Sequence, residues 1–145
     1  MRIEGRWLQG ADGIERPVLD GYLAAPGGFQ LALSFLIDTG ADSTVLAPDV
    51  AQRLAGVVQP TPTTATAVGI GGAMPMHELA VDLLLLTPAG QRARIHGPLP
   101  ILLAPGSLEL SVIGRDVLDQ FTLIYARPQG GVFLLTPPDR FTLHP

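Results

Sequence analysis

The stretch FLIDTGADSTVL, residues 35–46, decides how the rest of this chain is interpreted. Three apolar residues, as in a buried strand, lead directly into the carboxylate of Asp38. An ionised carboxylate in such a place costs free energy unless another group pairs with it or a reaction uses it. Thr39 offers a hydroxyl to the neighbouring backbone, and Gly40 lets a second segment approach closely. On these three residues alone, an ordinary turn aspartate is the more common interpretation, and a reactive group in a narrow cleft is the alternative.

The segments around this stretch predict an all-β domain with one or two short helices. Glycine and proline are frequent, 17 and 14 of 145 residues, which is typical of many turns between short strands. A first helix is predicted over 47–56, where Pro48 fits the first turn and Gly56 can end the helix. A second is predicted over 114–121. Strands are predicted over 17–25, 29–37, 59–68, 77–86, 91–97, 99–104, 110–113, 122–126 and 132–136. No linker divides the chain, so residues 1–145 are expected to form one domain.

Composition and the lack of other motifs exclude several kinds of chemistry. The sequence has no cysteine and no lysine, which excludes disulfides, thiol nucleophiles, Schiff-base lysines and P-loop lysines. Its net charge of −4 argues against nucleic-acid binding. His77, His96 and His144 lack the spacing of metal ligands, so neither a metal nor a cofactor is expected. No apolar run is long enough to span a bilayer and the N-terminus is too polar for a signal peptide; we therefore expect no membrane association and a cytoplasmic location.

Three motifs, in this order, resemble those of the retroviral-type aspartic proteases, the retropepsins. LIDTGAD at 36–42, followed by an apolar strand, resembles their active-site loop. VGIGGAM at 68–74 resembles the glycine-rich flap that closes over the substrate. SVIGRDVL at 111–118 resembles the hydrophobic-hydrophobic-Gly-Arg motif that begins the helix of the family. Each motif alone is weak, but their order and spacing favour the family over roughly residues 16–136.

The resemblance implies a single-lobe, closed β-barrel-like domain whose active site lies at a homodimer interface. Aspartic proteases are the standard example of two neighbouring carboxylates that cannot both ionise and therefore share one proton. Of the nine aspartates in this chain, only Asp38 lies in an Asp-Thr-Gly context. Each chain would thus supply one Asp38 across a twofold axis, and an extended peptide or unfolded protein would be the substrate.

The resemblance also implies roles for further residues. The catalytic group comprises Asp38, Thr39 and Gly40. The substrate-binding residues are Ala41, Asp42, Gly69, Ile70, Gly71 and Gly72. Gly114 and Arg115 give structural support, because in relatives this arginine holds the aspartate that here is Asp42; loss of such a pair is strongly destabilising if it is buried. Arg16 either pairs with Asp42 of the partner subunit or is unrelated to it.

Apolar side chains near Ala41, the flap and Ile113 imply a preference for hydrophobic residues beside the scissile bond. Met74 and Met76 could contact substrate or pack in the core.

The C-terminal part of the chain departs from the shortest viral enzymes. Two strands, 122–126 and 132–136, follow the second helix where those enzymes have one strand, as in the DNA-damage-inducible and bacterial relatives. The resemblance implies that such strands pair with their twofold mates. The sequence of 137–145 leaves open whether this segment is a tail or an interface arm. The alternative function is a non-proteolytic dimeric peptide-binding module with the same fold. Self-processing from a longer precursor is a weaker alternative. The intact Asp-Thr-Gly triplet favours the protease.

Overall fold

The computed structural model describes residues 1–136, which form twelve strands and two short α-helices. His144 and the predicted tail or interface arm at 137–145 lie outside the described residues. The strands are β1 Arg2–Glu4, β2 Arg6–Gln9, β3 Glu15–Ala24, β4 Gln30–Ile37, β5 Thr61–Gly69, β6 Gly72–Leu79, β7 Asp82–Leu86, β8 Arg92–Ile95, β9 Leu99–Ile101, β10 Ser111–Ile113, β11 Thr122–Ala126 and β12 Gly131–Leu135. The helices are α1 Pro48–Arg53 and α2 Arg115–Leu118.

A six-stranded sheet forms the centre of the molecule. Its strands lie in the order β10-β4-β3-β7-β8, and β2 adds to β3. The hairpin of β3 and β4 is antiparallel, with Val18 opposite Leu36 and Ala24 opposite Gln30. Strand β10, whose residues come 76 positions after their partners in β4, lies parallel to the end of β4 and places Ile113 beside Ile37. Two distant segments of the chain therefore meet where β4 ends, directly before Asp38.

Two three-stranded sheets flank this central sheet. One has the order β1-β12-β11 and joins both ends of the described chain. The other has the order β5-β6-β9, and its β5–β6 hairpin turns at Gly69–Gly72. The arrangement confirms the predicted all-β class and the two short helices. The described residues form three separate sheets, and no closed barrel is evident in them.

One hydrophobic core holds these elements together. Its largest fully buried side chains include Phe35, Leu83, Leu85 and Ile113. The run of leucines in β7 is buried on both faces, which explains why the sequence there is continuously apolar and does not alternate. Helix α1 begins at Pro48, as predicted, and buries Val50 against the core.

The sequence-based strand predictions are mostly confirmed, with two corrections. The N-terminal strands β1 and β2 were not predicted, because their short, charged segments lack a long apolar pattern. The single strand predicted over 77–86 is two strands, β6 and β7, which belong to different sheets. No turn residue marks the break, because it falls at Ala80 and Val81 between two apolar segments, and Leu79 and Val81 are both buried. Among residues 1–136, no helix is long and apolar enough to cross a membrane.

Candidate active site

Asp38 lies at the point where β4 leaves the central sheet. Its backbone N–H donates to the carbonyl of Ile113 at 3.2 Å, which ties it to β10. Its carboxylate oxygen Oδ1 accepts a hydrogen bond from the backbone N–H of Gly40 at 2.9 Å. The local hydrogen bond of an ordinary turn aspartate is therefore present. The side chain of Asp38 nevertheless lines a cleft, so this one residue takes part both in the turn and in the cleft wall.

The loop after Asp38 is locked onto β10 and the start of α2 by backbone hydrogen bonds. Val45 and Val112 exchange two of them, at 2.9 and 2.8 Å. The N–H of Arg115 donates to the carbonyl of Ala41 at 2.9 Å. Strand β10 thus runs between β4 on one side and the returning loop on the other. This arrangement fixes the position of Asp38 through the backbone, independently of charge.

Gly114 is required where the loop crosses the start of α2. A Cβ atom at this position would lie 2.5 Å from the carbonyl carbon of Ser43 and 2.6 Å from its oxygen. Contacts this short do not occur, so any other residue would force the two segments apart. The glycine that the sequence analysis assigned to structural support is therefore placed in direct contact with the Asp38 loop.

Thr44 connects the loop to α2 inside the protein. This side chain is fully buried, and its hydroxyl donates to Asp116 Oδ1 at 2.8 Å and accepts from the N–H of Gly114 at 3.1 Å. The backbone N–H of Thr44 donates to the same carboxylate oxygen at 2.8 Å. A buried hydroxyl that both donates and accepts a hydrogen bond has no unpaired polar group, and it stabilises a single arrangement of the segments that it joins. Sequence reasoning missed both Thr44 and Asp116; the polar residue between apolar positions after the Asp-Thr-Gly triplet was the available signal.

The cleft in front of Asp38 has a volume of about 580 Å³ and mostly apolar walls. One wall is the Asp38 loop, and the opposite wall is the β5–β6 hairpin, which we call the flap and define as residues 61–79. Seven of the predicted site residues line it: Asp38, Gly40, Ala41, Gly69, Ile70, Gly71 and Gly72. Thr39, Asp42, Gly114 and Arg115 do not line it. Its depth and apolar lining suit an extended, largely hydrophobic ligand.

Several other cleft residues were not in the predicted site. The lining also includes Ser43, Val45, Ala67, Val68, Met74, Leu102, Ser107, Leu108 and Val112. Val112 occupies the place that the sequence analysis gave to Ile113, which is fully buried in the core. Adjacent residues of a strand point to opposite faces of the sheet, so only one of Val112 and Ile113 can face the cleft. This alternation was the signal in the sequence that could have identified Val112. Of the two methionines considered, Met74 lines the cleft and Met76 does not. The Ser107 hydroxyl is buried beside the cleft without a hydrogen-bond partner in residues 1–136.

The flap tip extends away from the rest of the single chain. Val68 is 81% exposed and Ile70 is fully exposed. Gly72 has a φ of 104°, which favours glycine at the turn. A Cβ atom at Gly69 or Gly71 would touch nothing within 4 Å. Exposed apolar side chains on a hairpin with so few contacts suit a segment that covers a ligand or a second chain.

Arg115 and Asp42 form the predicted ion pair, but the pair is exposed. Their side chains hydrogen-bond through Nη2 and Oδ1, and they remain 53% and 83% accessible. The hydrogen bond with Asp42 raises the pKa of the Arg115 guanidinium. The strong destabilisation expected for a buried pair therefore does not apply to the single chain, because water screens both charges.

Arg16 pairs within its own chain. Its guanidinium contacts both carboxylate oxygens of Asp12, at 3.0 and 2.6 Å. The hydrogen bonds from Arg16 and from the Ile14 backbone lower the pKa of Asp12 to about 2. This local partner was not anticipated, and the predicted pairing with Asp42 of the partner subunit stays a prediction.

The described part of one chain supplies a single carboxylate to the cleft. Asp38 is the only acidic residue among the lining residues within 1–136. In the same range, no group of three or more His, Cys, Asp or Glu side chains is placed to hold a metal ion. Thr39 is exposed, and its hydroxyl has no hydrogen-bond partner within the described chain. The site of one chain thus offers one acid, an exposed hydroxyl beside it and an apolar cleft.

Comparisons with known proteins agree with this geometry. Residues 27–117 match a family model described as aspartyl protease. The chain is similar to the solved structure of a retropepsin-like aspartic protease from Rickettsia conorii, with 15% sequence identity, 92% of this chain and 88% of that chain covered, and a TM-score of 0.51. It is also similar to the EIAV protease complexed with the inhibitor HBY-793, with 21% identity, 72% and 86% coverage, and a TM-score of 0.48. No curated protein sequence matches the chain.

The matched region contains β4, the Asp38 loop, the flap and β10, and it ends inside α2. These are the elements that build the cleft. The likeness to the Rickettsia conorii structure shows the retropepsin-like fold. Because the family model covers more than half of the 145 residues, the chain belongs to the aspartyl protease family.

Proposed function

We propose that this protein is a homodimeric aspartic endopeptidase in which the two copies of Asp38 activate a water molecule. The observation that carries the proposal is the position of Asp38. Asp38 directly follows a core strand, is fixed by the backbone of β10, and lines an apolar cleft of about 580 Å³ beneath a flap that turns at glycines. Membership of the aspartyl protease family supports the same conclusion.

Peptide hydrolysis by this route needs two carboxylates in different protonation states. The ionised carboxylate takes a proton from water, and the resulting hydroxide attacks the peptide carbonyl carbon. The protonated carboxylate donates its proton to the carbonyl oxygen, giving a neutral tetrahedral diol. Collapse of the diol breaks the C–N bond as a proton passes to the leaving amine. Two acids close enough to share one proton perform both roles without a metal or a covalent intermediate.

The second acid comes from a second copy of the chain in this proposal. One cleft contains one acidic residue among positions 1–136, and a twofold axis beside Asp38 would add an identical one. Thr39 and Gly40 are both exposed beside Asp38, so they are available to contact the same loop of the partner subunit. The free hydroxyl of Thr39 would gain a hydrogen-bond partner there.

The flap and the cleft walls would hold the substrate as an extended strand. Main-chain hydrogen bonds to the flap would bind any peptide backbone, and the apolar walls would favour hydrophobic side chains near the scissile bond. The exposed tip residues Val68 and Ile70 would become covered when the flap closes. The proposed substrate is therefore an extended peptide or an unfolded protein, with no cofactor.

The deciding experiment compares wild type with Asp38→Asn on an unfolded protein substrate over a range of acidic to neutral pH. We expect the variant to lose at least about a hundredfold in kcat/KM, because it has neither a general base nor a general acid. Asp49→Asn is the matched control, since Asp49 is an exposed acid on α1 that does not line the cleft. The wild-type rate should depend on pH as a bell, because the active pair carries one proton.

A mixing experiment tests whether the two acids come from two chains. An excess of inactive Asp38→Asn added to wild type should convert active homodimers into mixed dimers and lower the activity. A monomeric enzyme would keep its activity in the mixture. Tight peptide binding without any cleavage product at any pH would instead support a non-proteolytic peptide-binding module and overturn the protease proposal.

A further inference from the structure

A second hollow, which we call the outer groove, is formed by β2, β3 and β4 together with residues 86–88 and 109–111. Its volume is about 660 Å³, and none of its lining residues also lines the cleft. Asp20 and Tyr22 form part of its floor, and they alternate along β3 with Leu19, which packs in the core. The outer groove therefore lies on the face of the central sheet that is turned away from the core.

Both arginines of the outer groove already have partners within the chain. Arg6 donates to the two carboxylate oxygens of Asp20, at 2.6 and 3.0 Å. Arg53 donates to the backbone carbonyl of Ala32 at 3.0 Å and forms an ion pair with Asp49 at 3.7 Å. Because each guanidinium group is engaged by a carboxylate, the groove has little positive charge left for an anionic ligand.

The acidic side chains of the groove are less fully engaged. Among the described lining residues, four are acidic and two are basic, so the groove walls carry an excess of negative charge. Glu4 pairs with Arg2, which does not line the groove. Glu109 is exposed and accepts no hydrogen bond from residues 1–136; it attracts Arg16 only through longer-range Coulomb interaction. The groove thus offers a free carboxylate to a cationic ligand.

The rest of the lining suits the side chains of a peptide. Leu8, Leu33 and Leu110 are partly buried there, next to the partly buried ring of Tyr22. The methylene stem of an arginine or lysine packs on such apolar surface while its charged end reaches a carboxylate, and an aromatic ring also attracts a cation. A volume of about 660 Å³ exceeds the needs of one side chain, so it suits a segment of several residues.

The outer groove and the cleft share one stretch of chain as a wall. Leu108 and Val112 line the cleft, and the residues between them, 109–111, line the groove. A polypeptide bound in the cleft can therefore reach the groove by crossing this single stretch.

We propose that the outer groove binds a basic segment of a protein substrate, at a distance along the substrate from the bond that is cleaved. Arginine or lysine side chains of that segment would lie against Tyr22 and Leu110 and pair with Glu109. Charge complementarity selects this occupant, because the free groups of the groove are acceptors and its donors are already bonded. The assignment to a substrate rests on the proposed function, whereas the binding of a basic peptide does not.

Fluorescence anisotropy tests the binding directly in the full-length Asp38→Asn protein, which should leave the probe uncleaved. The probe is a fluorescein-labelled peptide in which two arginines flank a leucine, and the matched peptide has glutamines in place of the arginines. We expect the arginine peptide to bind at least about tenfold more tightly at low salt, with the difference shrinking as salt is added. Equal affinities for the two peptides would overturn the proposal.

Glu109→Lys tests the position of the site. Reversing the free charge should lower the affinity for the arginine peptide at least about tenfold. Glu78→Lys is the matched control, because it changes the net charge equally and Glu78, on β6, lines neither the groove nor the cleft. It should change the affinity by less than about twofold, since exposed charges farther away are screened. Equal weakening in both variants, with circular dichroism unchanged, would show that only overall charge matters and would overturn the site.

Steady-state kinetics test whether the occupant belongs to the substrate. The best-cleaved peptide recovered from a digest of unfolded protein is compared with the same peptide extended by a flexible Gly/Ser linker and an Arg-Leu-Arg segment. The extension should lower KM about tenfold and leave kcat unchanged, because it adds binding energy that does not act on the reacting atoms. Glu109→Lys should cancel this advantage and Glu78→Lys should keep it. The same KM for both peptides in wild type would overturn the assignment to substrate.

Two other occupants would give different results. Probe binding that appears only after residues 137–145 are deleted would assign the groove to that segment of the same chain. Dissociation of a self-associated protein by the probe, seen in sedimentation equilibrium, would assign the groove to a second copy. Either result overturns the proposal.

The two proposals fail in different ways. If the outer groove is not a binding site, the two peptides bind alike, while wild type still cleaves substrate and Asp38→Asn does not. If the protease function is wrong, the arginine peptide binds as expected, but neither wild type nor any variant cleaves a substrate.

Discussion

The Asp38 loop and the flap face the same cleft, yet they are built in opposite ways. In the loop, a Cβ on Gly114 would lie 2.5 Å from Ser43, and Thr44 is completely buried. At the flap tip, a Cβ on Gly71 would meet nothing within 4 Å, and Ile70 is fully exposed. Glycine gives close packing in the first region and a free turn in the second.

A small domain can thus combine a fixed acid with a cover that is free to move. The loop gains its position from packing and backbone hydrogen bonds that are shared with the core, so displacing it costs much of the stability of the protein. The flap is held mainly by its own hairpin and by β9, so it can open at a smaller cost. Four substitutions test this contrast, beginning with the largest expected effect on stability.

Gly114→Ala should destabilise the protein by about 3 kcal/mol, because the added methyl group collides with the backbone of Ser43, which cannot move without breaking the loop. Urea unfolding monitored by circular dichroism measures the loss. Gly69→Ala is the control from the flap, where the same methyl group meets no atom, and it should change stability by less than about 0.5 kcal/mol. Similar losses in both variants would contradict the contrast between a tightly packed loop and an open flap tip.

Thr44→Val should destabilise by about 1–3 kcal/mol, because the isosteric side chain leaves the N–H of Gly114 without its acceptor and removes a donor to Asp116. Thr66→Val makes the same exchange on the exposed face of the flap, where we expect almost no loss. Thermal unfolding of the two variants side by side is the measurement. A neutral result at Thr44 would mean that the backbone hydrogen bonds alone fix the loop.

Gly72→Ala should cost about 1 kcal/mol through backbone strain alone, since its φ of 104° is unfavourable for a residue with a side chain. Gly71→Ala is the neighbouring control, with open space and no such φ, and should be neutral. Urea midpoints distinguish the two. If the neutral variant also retains KM while Gly72→Ala raises it, the turn geometry, and not the contact surface of the tip, governs substrate capture.

Arg115→Gln should have the smallest effect, a slight lowering of Tm that fades as salt is added, because both partners of its ion pair with Asp42 are exposed. Scanning calorimetry at low and high salt measures it. A loss comparable to that of Gly114→Ala would show that charge, as well as backbone packing, fixes the loop. A loss that grows with protein concentration would instead indicate that dimerisation buries the pair.

Much of the site could be predicted because its signals are local. The Asp-Thr-Gly triplet after an apolar strand, the glycine turn of the flap, and the Gly-Arg pair before α2 are each contained in fewer than ten residues. Turn chemistry and strand termination depend on neighbouring side chains, so a single sequence carries them. The cleft wall at Leu102 and Leu108 could not be predicted in this way, because a loop contributes to a cleft only after the sheets have formed.

Local sequence patterns were enough to specify the all-β class, the order of hairpins and the residue that carries the acid, because strand periodicity and turn residues act over short distances. The folding of the whole chain was needed to join Thr44 to Asp116, 72 positions away, and to place Val45 beside Val112. Those contacts depend on which distant segments of the chain pack against each other and exclude water from between them. That choice is made by the packing of the whole core, which no local pattern encodes.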